Sequence, residues 1–129
     1  MNPWAIIITF LLCSPALAME KIQLDFIYNS SNHDAASSKA VVQDGESVES
    51  QYGRGDIDTV ISMTPSVEVK NGQKQILVDI MIKNYREGDL ISESNPQIIT
   101  TPGKKAHISM NDSELEEDYR ISVTAKTIR

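Results

Sequence analysis

A small antiparallel β-sandwich is the architecture that this sequence predicts, and three observations carry the prediction. Apolar residues recur with a period of two along most of the chain. The dipeptide Asn71-Gly72 separates two such runs, and no segment sustains a helical period. Period-two alternation puts one face of a strand on a core and the other in water. Asn and Gly both tolerate the positive φ that a type I′ hairpin turn requires. Several strands with one apolar face each bury those faces by packing sheet on sheet.

The elements follow in order. Ile22, Leu24, Phe26 and Tyr28 share one face of the first strand, with Lys21, Gln23 and Asp25 opposite. Residues 29–39 are rich in Ser, Asn and Ala and read as a solvated connection. Next, Ile57, Thr59, Ile61, Met63 and Pro65 hold odd positions, and Ile76, Val78, Ile80 and Ile82 hold even ones. With the Asn-Gly turn between them, residues 57–83 predict a long antiparallel hairpin. Pro65 has no amide donor, which argues for an edge position or a bulge in the first arm. Gln97–Thr100 and Ala106–Met110 read as two short strands around the turn Thr101-Pro102-Gly103-Lys104, and Arg120–Ala125 as the last strand. Between them, residues 111–118 hold five acids among eight residues and read as a second solvated loop. A faint internal repeat relates residues 38–48 to 96–106: a short apolar strand, a Gly turn, then a small apolar residue opening the return strand.

Residues 1–18 carry no charged side chain and contain the apolar run Ala5 to Leu12, then Pro15 and Ala16-Leu17-Ala18. That is the pattern of a secretory signal peptide with a small-x-small cleavage site, too short for a membrane-spanning helix. Leu11-Leu12 before Cys13 lacks the small residue that lipid attachment prefers, so a lipoprotein reading is rejected. Cleavage of the 129-residue chain after Ala18 leaves one domain, 19–129, of 111 residues beginning at Met19. The expected location is the periplasm or the external medium, without membrane insertion after cleavage. Cys13 and Trp4, the only Cys and Trp, leave with the signal, so the domain has neither a disulfide nor a thiolate site. Phe26, Tyr28, Tyr52, Tyr85 and Tyr119 are its only aromatics, which points to a core of Ile, Val and Leu. Eighteen acidic against twelve basic residues give a net charge of −6, which disfavours nucleic acid and anionic lipid as partners.

Chemistry-bearing patterns are sparse. His33 lies in a polar stretch and His107 on a predicted strand, each without a second His nearby, whereas metal sites need converging ligands at fixed spacing. No catalytic residue, cofactor or metal site is therefore expected. The acids from Asp112 to Asp118 lack the ligand order of a calcium loop and read as solvated charge. Arg54-Gly55-Asp56 is a tripeptide that integrins can read, although a flexible turn explains it more plainly. Asn29-Ser30-Ser31 and Asn111-Asp112-Ser113 are formal glycosylation sequons, meaningful only in a eukaryotic secretory pathway.

Residues 38–128 resemble the periplasmic β-module of bacterial secretins, the outer-membrane gates of secretion systems and pili. The matching stretches are Val41-Val42-Gln43-Asp44-Gly45-Glu46-Ser47, Ile61-Ser62-Met63-Thr64-Pro65, Asn71-Gly72 and Asn95-Pro96-Gln97-Ile98-Ile99-Thr100. A secretin subunit is several times longer, so the resemblance implies a stand-alone periplasmic relative acting as an accessory or interaction protein. It carries over no catalytic residue.

Three function classes follow. The first is an exported, non-enzymatic interaction module of the bacterial cell envelope that binds a protein partner, accessory to a secretion or pilus assembly apparatus. The second is a secreted adhesin, inhibitor or surface factor, with Arg54-Gly55-Asp56 as its only hint. A small hydrolase comes third. For the first class, the expected docking surface is an edge strand bearing Ser62, Thr64, Pro65 and Ser66, because unpaired backbone groups accept a partner strand.

Overall fold

The computed structural model describes residues 20–30, 33–113 and 117–128. The predicted signal peptide and its cleavage site lie outside them. Nine strands follow in order: β1 (Lys21–Ser30), β2 (His33–Gln43), β3 (Val48–Arg54), β4 (Ile57–Lys70) and β5 (Gln73–Arg86), then β6 (Asp89–Ser94), β7 (Gln97–Thr100), β8 (Lys105–Asp112) and β9 (Glu117–Ile128). They make two antiparallel sheets. One has the order β2-β1-β9-β8, the other β3-β4-β5-β6, with β7 pairing β5 beyond the end of β6. The sandwich is as the alternation predicts.

Its core is one cluster drawn from the inner faces of both sheets. Ile22, Leu24 and Phe26 of β1 and Ile121 and Val123 of β9 meet Ile61 of β4 and Ile76, Val78, Ile80 and Ile82 of β5. The predicted hairpin is β4–β5, paired without a break from Ile57↔Arg86 to Lys70↔Gln73. At its tip Asn71 and Gly72 take φ of 53° and 78°, as a type I′ turn requires. A Cβ on Gly72 would meet nothing within 4 Å, so a side chain there is opposed by backbone conformation and not by a clash. Gly72→Val is expected to cost about 1–3 kcal/mol, read as a lowered melting temperature. An unchanged melting temperature would remove the type I′ assignment.

Four expectations change. Residues 29–30 and 33–39 are no solvated connection but the end of β1 and most of β2, paired from Tyr28↔Ala36 to Lys21↔Gln43. Phe26 faces Ser38, Tyr28 faces Ala36 and Leu24 faces Ala40. The large β1 side chains cover the core there, so β2 needs only small ones and shows no apolar run.

The strands on either side of Pro102-Gly103 do not pair with each other. Instead β7 belongs to one sheet and β8 to the other. The faint repeat marks the two corners at which the chain changes sheets. At one corner Gly45 (φ 84°) donates its N–H to the Pro65 carbonyl at 2.8 Å, and Glu46 N–H reaches the Gln43 carbonyl at 2.9 Å. At the other, Gly103 (φ 84°) donates to the Ala125 carbonyl at 2.8 Å, and Lys104 N–H reaches the Thr101 carbonyl at 3.0 Å. Each glycine thus latches the corner onto the strand beside the one it is about to form, β4 or β9. Positive φ at the third residue is what a type II turn demands, and Gly supplies it without strain.

The third change concerns β4. It lies inside its sheet, with β3 along 57–63 and β5 along its whole length. Pro65 sits just past the end of β3, where the carbonyl that it aligns outward accepts Gly45 N–H. N–H and C=O of one residue point the same way in an antiparallel strand, so the missing donor faces the corner and the β4–β5 ladder is intact.

The fourth is the acidic stretch. Asn111 and Asp112 end β8, and Glu117 and Asp118 open β9, pairing as Asn111↔Asp118 and Asp112↔Glu117. Residues 114–116 lie outside the described set.

Candidate functional site

The predicted docking residues come out as follows. Ser62 is flanked by Glu49 on one side and Met81 on the other. The Thr64 and Ser47 hydroxyls bond to each other. The N–H of Val67 is taken by Asp44 Oδ1 at 3.0 Å. Ser62, Thr64, Pro65 and Ser66 are therefore half-buried or buried residues of an internal strand and offer no open edge. Pro at an internal position is admissible only because a corner replaces β3 at that level, a fact that lies in the tertiary connection.

The remaining candidates are dispersed. His33 opens β2, while His107 lies exposed on β8 opposite Ser122. Arg54-Gly55-Asp56 is the β3–β4 turn, where Gly55 takes φ of 65° and Asp56 Oδ2 accepts an ion pair from Arg86 Nε at 3.2 Å. Among the described residues no group of three His, Cys, Asp or Glu is placed to hold a metal ion. Nor is any helix there long and apolar enough to cross a membrane.

Sequence reasoning missed a polar and aromatic end of the core. Phe26, Tyr28, Tyr52 and Tyr119 gather there, with Tyr28 stacked on Tyr52 at 5.7 Å and tilted against Tyr119 at the same separation. Glu117, only 4% exposed, accepts a hydrogen bond from Tyr28 Oη at 3.2 Å. Burying a carboxyl without a partner is costly, so this bond ties the start of β9 to β1. Beside it, Thr59 Oγ1 donates to Asn84 Oδ1 at 2.6 Å. Asn84 Nδ2 donates to Ser92 Oγ at 2.9 Å and to Asp112 Oδ2 at 3.3 Å, and Ser92 Oγ donates to the same oxygen at 2.7 Å. The network joins β4, β5, β6 and β8 across the two sheets. A cavity of about 300 Å³, with Ser92, Ser94, Met110 and Asp112 on its walls, opens onto it between β6 and β8. Thr59 holds an inward position of β4 and Asn84 an inward position of β5, so the one legible signal was polar residues in phase with the apolar face.

The open backbone lies elsewhere. β2 spans eleven residues and, among the described residues, pairs only with β1. Its outward side chains are Ala35, Ser37, Lys39, Val41 and Gln43. Lys39 is the one charge among them, 3.8 Å from Asp25 of β1, and Val41 is 53% exposed. The other edges are shorter: β3 carries Glu49, β6 carries Asp89 and Glu93, β8 opens on Lys105, and β7 is a four-residue strand without a charge. Natural edge strands are usually blunted by charge, proline or bulges; β2 has a register shift opposite Tyr28/Ser30, but over its Ala36–Gln43 pairing it has only Lys39.

No protein-family model matches this chain, and no curated protein matches it.

Proposed function

We propose that this protein is an exported, non-enzymatic interaction module of the bacterial cell envelope that takes up a partner's strand along β2. One observation carries the reading: the longest edge strand has small side chains outward and, over Ala36–Gln43, a single charge that is already paired. Strand addition draws affinity from main-chain hydrogen bonds and specificity from alternate side chains, and small residues let the incoming strand approach. The signal-like residues 1–18 and the secretin-like order of motifs in 38–128 support an envelope location and a role beside a secretion or pilus apparatus.

A photo-cross-linker at Ser37 should trap one defined species in the native envelope. Val41→Lys, which adds the charge that edges use against pairing, should cut that yield about tenfold without lowering the melting temperature. His33→Ala and His107→Ala should leave it unchanged. Equal trapping from Ser62 or Ser66, or loss of activity in His33→Ala, would refute docking at β2.

A further inference from the structure

The outer faces of the two sheets carry opposite charge. On the β2-β1-β9-β8 sheet, register places Lys21, Lys39, Lys105, Arg120 and Lys126 outward. Asp25 and Asp118 share that face, so five cations against two carboxylates leave it at +3. On the other sheet, Glu49, Asp58, Glu68, Asp79 and Glu93 point outward. Lys83 and the hairpin-tip Lys70 accompany them, so five carboxylates against two cations leave that face at −3. The acidic face also carries apolar side chains: Leu77, paired with Ile99, which is 58% exposed, and Met81 on the far side of Asp79. It is hollowed at one end: Glu49, Asp58, Val60 and Tyr85 line a depression of about 620 Å³. Two acids at the rim with an aromatic and an aliphatic side chain in the wall suit a Lys or Arg, whose stem packs on the apolar part while its head meets carboxylate.

We infer that the basic outer face of one copy docks on the acidic outer face of the next, with a cationic side chain seated in the Glu49–Asp58 hollow. This goes beyond strand uptake at β2: it needs none of that strand's backbone, and Lys39 is the one β2 charge that it counts. The contact is head-to-tail by electrostatic necessity. A two-fold dimer would set like charge against like on either face, whereas stacking pairs +3 with −3. The faces lie on opposite sides of the sandwich, so each added copy leaves the same two faces free and growth is open-ended. Four strands about 5 Å apart and some eight residues long make a face of roughly 500 Å². That is below the roughly 800 Å² per partner of a stable complex, so association is weak, concentration-dependent and sensitive to salt.

Sedimentation velocity on the purified protein tests this. At low salt the wild type should form a ladder of oligomers growing with concentration. Raising ionic strength to about 0.3 M should weaken association about tenfold. Glu49→Lys/Asp58→Lys and Lys105→Glu/Lys126→Glu, each checked for β-sheet circular dichroism, should each be monomeric alone. An equimolar mixture of the two should associate again, because each supplies the face that the other has lost. The inference is overturned if the wild type stays monomeric at about 1 mM in low salt, if either reversed variant associates like the wild type, or if the mixture does not associate. Should a variant misfold, an absence of salt dependence in wild-type association overturns it equally.

Discussion

Replacing Phe26 by Ala is expected to lower the free energy of unfolding by about 3–5 kcal/mol, the range for deleting a buried aromatic ring. Phe26 is 1% exposed and lies 6.4 Å from the Tyr52 ring, in the middle of the aromatic end of the core. Its β2 partner is Ser38 and its β9 partner is Val123, both smaller than the ring, so neither cross-strand neighbour can fill the space that it leaves. A domain of this size holds about 5–15 kcal/mol in total, and the described strands contain no Cys to cross-link. The loss therefore takes a fifth of the stability or more, visible as a large drop in the urea midpoint at constant slope. Ile27→Ala, one residue away on the outer face, should cost less than about 1 kcal/mol. If both substitutions cost the same, the inner and outer faces of β1 have been assigned wrongly.

The second large effect is expected at Asn84. Asn84→Ala removes the acceptor at 2.6 Å from Thr59 Oγ1 and the donor at 2.9 Å from Ser92, both inside the sandwich. Removing one partner of a buried hydrogen bond costs about 1–3 kcal/mol, and the network raises Asn84→Ala to about 2–3 kcal/mol. The distinguishing measurement is a double-mutant cycle with Thr59→Val. A buried hydrogen bond gives a coupling of about 1 kcal/mol or more, so Asn84→Ala costs less when Thr59 is already Val. Additive losses would mean that the two side chains act independently and that the network does not bind β4 to β5.

Much of the fold was legible because its information is local. The alternation in β1, β4, β5 and β9 follows from the period of the strand, and Asn71-Gly72 announces its turn through the φ values that only such residues accept. Local grammar fails where neighbours in space do the work. β2 has no apolar run because the side chains opposite it on β1 are large. Pro65 looks like an edge residue, yet the Gly45 corner takes the place of a strand beside it. The repeat of 38–48 in 96–106 looked like hairpin grammar, while its meaning, two latched corners between sheets, exists only once both sheets are assembled.

The candidate surfaces divide the same way. By itself the sequence determined a β-rich chain without a gathered catalytic pattern, its overall charge, and which residues of each strand share a face. Those follow from backbone periodicity and residue chemistry alone. Only the tertiary structure decided which strand is an edge, why Glu117 is buried beside Tyr28, and that a net charge of −6 conceals one basic and one acidic face. Each of these depends on the strand order and register of the sheets, because pairing brings residues far apart in the chain onto one surface.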